Sequence, residues 1–284
     1  MSPFNSSSKA GGYDVAMHDL QKKPTTAVEM IEPINLMSQQ QLGEPDPTLI
    51  SKHDLLSAIA FDKKGEILSV GDRGGRIICF QLTDFEKSGQ NEFDYLTEFQ
   101  AMTKSFDVLQ SQDISETVTA MEWLNSSKTQ QPAMLASNSR QTKLFKIVNK
   151  QVKKCESVKK KLAKGKGLSF PKTKIVSESK EGKHFETYKT GNESHIHSLS
   201  MSPDQESFLV ADDNLINLWN IEQKDREVYN LIDYNRRKAA EDQERVMSAT
   251  FSSQSTMFLY TTNKGDIRVC DFREASNFQH RPSV

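Results

Sequence analysis

Cysteine is scarce in this chain. Only Cys79, Cys155 and Cys270 occur, far apart and without a C-x-x-C pair. Three isolated cysteines exclude a disulfide framework and read as reduced thiols in a cytoplasmic or nuclear protein. Long apolar runs are missing as well. Nothing approaches the roughly 18 apolar residues of a membrane span, and the first thirty residues hold no stretch suited to a signal peptide. Charge of one sign is also lacking. With 37 basic and 38 acidic side chains, there is no global pull toward nucleic acid or a membrane surface. Hydrophobic residues make up 36% of the 284 and mean hydropathy is −0.63. Such a lean chain is expected to leave a good part of its length in loops or disorder, around one large domain or two small ones.

Residues 1–50 are rich in Ser, Gln, Pro and Met with no sustained period. They read as a disordered N-terminal arm, with a short helix available over Thr25–Met37 that Pro33 interrupts. From Leu55 the texture changes. LLSAIAFDKKGEILSVGDRGGRIICFQL holds three bursts of alternating apolar and polar residues, separated by Lys64-Gly65 and by Gly71-Asp72-Arg73-Gly74-Gly75. Such bursts predict antiparallel strands joined by hairpins. The plan returns in VTAMEWL with MLASNSRQTKLFKI (118–147), in IHSLSMSPDQESFLVADDNLINLWNI (196–221) and in VMSATFSSQSTMFLYTTNKGDIRVCDF (246–272). Phe61 to Val70, Met201 to Val210 and Phe251 to Tyr260 are each nine residues apart. Equal internal spacing marks a repeat of strand, turn, strand, polar turn, strand, and such repeats predict an all-β propeller. The steps Phe80–Phe145, Phe145–Trp219 and Trp219–Cys270 are 65, 74 and 51 residues, longer than the roughly 40–45 of an ordinary WD repeat. Insertions between blades are therefore expected.

The polar turn carries Asp72, Asn138, Asp212-Asp213 and Asn263 in the four repeats. Short Asp and Asn side chains bond their own backbone and tolerate left-handed geometry, so a turn selects them. Adjacent aspartates on a turn point apart, which excludes an acid/base pair facing one substrate. His195-x-His197 offers two imidazoles where a metal site needs three or four ligands. The glycine-rich turn at 71–75 lacks the Gly-Lys-Ser/Thr end of a phosphate loop and precedes a strand. No catalytic, metal or cofactor site is expected. Residues 150–174 carry ten lysines and one acid, Glu156. A solvated loop or partner arm, a nucleic-acid contact through phosphates and a localisation signal all fit that composition, although no aromatic is interleaved for base stacking and no arginine for base edges.

GEILSVGDRGGRIICFQ, SHIHSLSMSPDQESFLVADDNLINLW and NKGDIRVCDFREAS closely resemble the WD-repeat regulatory B subunit (55-kDa class) of protein phosphatase 2A. FQAMTKSFDVLQSQDISETVTAMEWL (99–124) is a looser match, and the resemblance runs in order over residues 53–276. It implies a seven-bladed propeller, here about four blades in an incomplete ring over 51–276, followed by a tail at 277–284. It implies a non-enzymatic regulator that docks on the phosphatase scaffold (A) subunit and directs the catalytic (C) subunit to phosphoprotein substrates. By matched position it assigns Arg73, Asp113 and Asp213 to substrate recognition. It places a hairpin arm over 148–175, with Lys153, Lys154, Lys159, Lys160 and Lys161 as scaffold contacts. Ser194 and Thr117 stand where the family has Tyr and Lys. A second reading is a WD-repeat interaction scaffold, or a remnant that binds partners without delivering substrate. The open arc is expected to leave Ile59, Val269 and Phe272 short of burial.

Overall fold

The computed structural model describes residues 40–44, 46–83, 92–108, 111–125, 131–155, 173–189, 195–222, 227–234, 244–253 and 256–272. The expected helix at 25–37, the tail at 277–284 and Lys159–Lys161 lie outside them. Among the described residues there is no α-helix, only two 3-10 turns, Pro47–Leu49 and Lys52–Asp54.

Four antiparallel sheets follow one another along the chain. Blade 1 is β1 (Leu56–Phe61), β2 (Ile67–Asp72), β3 (Arg76–Leu82) and β4 (Phe93–Gln100). A small hairpin follows, β5 (Ser105–Asp107) with β6 (Gln112–Ile114). Blade 2 is β7 (Ala120–Trp123), β8 (Ala133–Ser137), β9 (Gln141–Cys155) and β10 (Thr173–Lys189). Blade 3 is β11 (Ile196–Met201), β12 (Ser207–Asp212), β13 (Leu215–Asn220) and β14 (Glu227–Asp233). Blade 4 is β15 (Val246–Phe251), β16 (Met257–Thr262) and β17 (Ile267–Asp271). In each blade the strands lie side by side in chain order. The first strands β1, β7, β11 and β15 touch in succession. This is the arrangement of β-propeller blades, four in an unclosed series.

The register makes the repeat concrete. Phe80, Phe145, Trp219 and Cys270 pair with Leu68, Met134, Phe208 and Phe258 on the neighbouring strand. The first strand bulges at the same place in three blades, between Leu56 and Ala58, Ile196 and Ser198, and Val246 and Ser248. The fourth strands β4, β10 and β14 go beyond the three-strand unit legible in the sequence. The patterns of β4 and β10 are mostly exposed, because one face of a rim strand meets water.

Three apolar clusters fill the spaces between blades. Between blades 1 and 2, Ile67, Ile77 and Cys79 meet Met121, Trp123 and Phe145. Between 2 and 3, Leu135, Leu144 and Tyr188 meet Leu199, Phe208 and Trp219. Between 3 and 4, Leu209, Ala211 and Ile216 meet Val246, Phe258 and Tyr260. Polar stitches cross the same seams: Trp123 Nε1 donates to Ser69 Oγ at 3.0 Å, Tyr188 Oη to the Ile221 carbonyl at 2.9 Å, and Ser198 Oγ to the Ala249 carbonyl at 2.8 Å. Burial pushes the Cys79 thiol up to about 12 and the Cys270 thiol up to about 11. Both are packing groups in the folded protein.

Ile59 and Val269 are exposed, on the outer flanks of blades 1 and 4. Phe272 corrects the expectation made for it. Its ring sits 5.0 Å from Phe258 and 5.5 Å from Phe251, on the side of blade 4 that faces blade 3.

Candidate functional site

The polar turns between second and third strands lie at one end of successive blades. Their first residue is buried in every blade: Asp72, Asn138, Asp212 and Thr262. Asp72 Oδ1 accepts from the Arg76 amide at 2.8 Å. Asn138 Oδ1 accepts from the Arg140 and Gln141 amides, both at 3.0 Å. Asp212 Oδ1 accepts from the Asn214 and Leu215 amides at 2.8 and 2.6 Å. Each closes its own turn, as a short acceptor there should. In blade 4 the matching place belongs to Thr262, whose Oγ1 takes the Lys264 amide at 3.4 Å. Asn263 is one residue later and instead accepts from the Arg245 amide at 2.9 Å.

Asp213 does something different from Asp212. Its side chain is a quarter exposed and its Oδ1 lies 2.5 Å from His197 Nε2. His197 occupies the first-strand bulge, directly beside the turn. The Asp213 carbonyl accepts from the Val246 amide at 2.8 Å and so ties the turn to the first strand of blade 4. The residue thus serves as a seam between blades and as a surface carboxylate at once.

Arg73 sits on the equivalent turn of blade 1 with an exposed side chain. Its amide donates to the Leu55 carbonyl at 2.9 Å, and its carbonyl accepts from Thr117 Oγ1 at 3.3 Å. Beneath it Arg76 binds two carboxylates: Nε donates to Asp72 at 2.8 Å, and a terminal nitrogen pairs with Asp54. The Asp72 hydrogen bond is the main reason the guanidinium is held even more firmly charged than usual. Asp54 lies below the ordinary carboxylate range, chiefly because Ser51 donates to it. Gly75 needs its glycine. Its φ is +82°, and a Cβ there would lie 2.3 Å from the Met102 carbonyl oxygen. Asp113 lies on β6, in the hairpin between blades 1 and 2, and faces Lys104 across 3.8 Å with both side chains well exposed. Arg73 and Asp213 are thus two blades apart, with Asp113 on the connection between blades 1 and 2. Lys104 accompanies Asp113, and the His197 imidazole accompanies Asp213.

A second feature leaves the body of blade 2. β9 and β10 pair along their whole length, from Gln141 opposite Lys189 to Cys155 opposite Thr173. β8 accompanies β9 only as far as Lys146, so the remainder is a two-stranded ribbon. Lys153 and Lys154 are exposed on it, opposite Ile175 and Lys174. Nearer the blade the charge is balanced. Lys150 pairs with Glu181 at 3.0 Å, Gln151 donates to Glu178 at 2.9 Å, and Lys146 Nζ lies 3.7 Å from the centre of the Phe185 ring.

No protein-family model matches the chain. Curated proteins do. The regulatory B subunit of protein phosphatase PP2A from Candida tropicalis is 31% identical over 256 residues, which is 86% of this chain and 49% of that protein. The gamma isoform of the 55 kDa regulatory B subunit of serine/threonine-protein phosphatase 2A from Mus musculus is 30% identical over 81% of this chain and 54% of its own length. The chain is a homologue of the 55 kDa regulatory B subunits of protein phosphatase 2A. The phosphatase 2A regulatory protein sur-6 of Caenorhabditis elegans agrees, at 30% identity over 87% of this chain and 52% of its own. This B-type homologue spans about half the length of the curated relatives it matches. Among solved structures, the β-propeller domain of Cps50 (Swd1) from Myceliophteria thermophila superposes with a TM-score of 0.44 at 12% identity, over 78% of this chain and 54% of that one.

Reading the sequence alone missed the groups that lie beside Arg73, Asp113 and Asp213: His197, Arg76, Asp54 and Lys104. His197 carried a usable signal, because a histidine two residues into a strand whose partner strand ends in Asp-Asp faces that turn. Lys104 and Asp54 carried none, since their contacts depend on how the connections before β1 and before β7 lie across the blade ends.

Proposed function

We propose that this chain is a regulatory subunit of a type 2A serine/threonine phosphatase. In this reading the β9–β10 ribbon, with Lys153 and Lys154, meets the scaffold subunit. The turn-bearing end, with Arg73, Asp113 and Asp213, holds phosphoprotein substrates for the catalytic subunit. The observation that supports it most is the ordered identity of about 30% along more than four-fifths of the chain to proteins named as phosphatase 2A regulatory subunits. The test is capture of scaffold and catalytic subunits by the full chain, followed by the same capture with Lys153→Glu and Lys154→Glu together. These side chains are exposed, so thermal stability should hold while capture falls at least about tenfold, as reversal of charges at a steered contact does. Undiminished capture by the variant removes the ribbon from the contact. No capture by either form removes the regulatory role.

A second reading has one observation in its favour. Asp113 has the Lys104 ammonium against it, and the Asp213 carboxylate is taken up by the His197 ring, so neither acid stands free for a basic substrate. A regulator that binds the scaffold without delivering substrate would capture its partners normally and leave dephosphorylation of every phosphoprotein unchanged.

A further inference from the structure

The rim strands β4 and β10 belong to neighbouring blades, and they meet. Every residue of β10 from Thr173 to Phe185 is exposed except Gly182. On β4, Thr97 is buried and Phe99 half-buried, among the exposed Tyr95, Glu98 and Gln100. Thr97 Oγ1 donates to the Lys180 carbonyl at 2.8 Å. The Phe99 ring covers Gly182, where an added Cβ would lie 2.1 Å from Phe99 Cδ1 and 2.5 Å from its Cγ. Phe145 backs Phe99, with ring centres 5.0 Å apart, and His184 lies edge-on to Phe145 at 5.8 Å.

Backbone conformation does not call for a glycine at 182, which is not among the glycines at positive φ. A glycine inside a strand weakens it, and its place there is where another group must come close. The close group here is a ring of blade 1. Its Cγ is one bond from the Phe99 Cβ, so turning the ring about its own axis does not clear the space. The strand also changes neighbours at this point. Tyr188, at the inner end of β10, is buried against Phe208 and Trp219 of blade 3. A bulge between His184 and Glu186 then re-aims the strand, and Gly182 meets blade 1. β8 pairs with β9 only as far as Lys146, so blade 1 holds the first part of the ribbon that blade 2 has released. We propose that Phe99, seated on Gly182, sets the direction in which the β9–β10 ribbon leaves the propeller, which makes both of them positioning residues for the scaffold contact. The link to the scaffold rests on the regulatory-subunit reading; the direction itself does not.

Contacting carbon atoms prefer a separation of about 3.5–4.0 Å, so a methyl at 182 must part the two strands by about 1.5 Å. With Tyr188 as the fixed point, Gly182 is six residues out and Ser177 eleven. At roughly 3.3 Å per residue, the same tilt displaces Ser177 by about 3 Å and the tip by more. A contact surface displaced that far meets its partner out of register.

Paired spin labels on the full chain test this. One label sits at Ser177→Cys and the other at Lys64→Cys or Glu206→Cys in separate chains, all exposed places, with Cys155→Ser throughout. Cys79 and Cys270 are buried out of the label's reach. Gly182→Ala should displace the ribbon label by about 3 Å relative to the two references. In the unlabelled chain it should lower capture of the scaffold subunit at least about tenfold. Adding Phe99→Leu gives up about the volume that the methyl adds, and should return both readings toward those of the unaltered chain. A residue that only held the fold together would show no such rescue. Circular dichroism checks that each chain folds. If Gly182→Ala does not, Thr97→Val removes the hydrogen bond to the Lys180 carbonyl at unchanged size, and should broaden the label distances and weaken capture. Unchanged distances in a folded variant overturn the proposal, as does a displacement that Phe99→Leu leaves uncorrected. A displaced ribbon with full capture overturns the positioning role. No capture by the unaltered chain overturns the regulatory reading and the link to the scaffold together, while the label distances still decide whether Phe99 aims the ribbon.

Discussion

Asp212 and Asp213 are neighbours with opposite predicted sensitivities. Asp212→Ala removes an oxygen that accepts two backbone amides, those of Asn214 and Leu215. The Leu215 position is buried, as is Asp212 itself, so no water readily replaces the lost acceptor. A buried donor left without a partner costs about 1–3 kcal/mol. The Leu215 amide bears that cost and the half-buried Asn214 amide a smaller one, which puts the expected loss at about 2–4 kcal/mol, a large share of the ~5–15 kcal/mol that holds a domain together. Asp213→Ala removes a partly exposed pairing with His197, and pairs of that kind contribute about 0–1 kcal/mol after solvent screening. Asp212→Asn keeps one oxygen acceptor and should fall between the two. Urea unfolding followed by circular dichroism measures all three. If Asp212→Ala and Asp213→Ala destabilise equally, within about 0.5 kcal/mol, the division into a structural and a surface aspartate is wrong.

Gly75→Ala should cost more than about 2 kcal/mol, because a left-handed φ is combined with a backbone clash at the Met102 carbonyl. Gly65→Ala, also at positive φ but with open space around it, should cost only about 1 kcal/mol; paired denaturation curves check both. Stability should be full below pH 9 and fall as pH rises toward 12, because burial raises the Cys79 and Cys270 thiols from 9.0 to about 12 and about 11. A raised folded pKa favours the protonated form, and that preference is lost once pH passes the folded value. Melting temperatures from pH 8 to pH 11 test the slope, and Cys79→Ser together with Cys270→Ser should flatten it while lowering the baseline.

The repeat was legible because it rests on local rules. Alternating apolar residues, a short polar acceptor at the second turn and equal spacing are properties of a dozen consecutive residues each. The pairs Leu68–Phe80, Met134–Phe145, Phe208–Trp219 and Phe258–Cys270 follow directly from them. The rim strands were harder, because β4 and β10 bury little and so lack a clean alternation. Asn263 misled by one place: its composition suits a turn, yet Val246 opposite Thr262 fixes the register. Phe272 was misplaced because its cluster with Phe251 and Phe258 depends on which way the chain turns after β17. Arg73 and Asp213 were legible as turn residues, and Asp113 only through the family resemblance. The side-chain partner of Asp213 lies 16 residues away across a strand pair, and that of Asp113 nine residues away on a connection that no local pattern encodes.

The ribbon formed by β9 and β10 has a mechanical consequence. Past Asn149, whose partner Lys180 still accepts from Thr97 Oγ1 of β4, it carries six paired positions on β9 with no third strand paired beside them among the described residues, a projection of about 20 Å at roughly 3.3 Å per residue. A two-stranded ribbon in water is marginally stable by itself. Its amides should therefore exchange with solvent long before those of β8 or β12, and its tip should sweep a volume wider than the blade that anchors it. A contact made at that tip would begin as a tether. The first encounter would fix only the distance between two proteins, and orientation would follow as the ribbon stiffened against its partner.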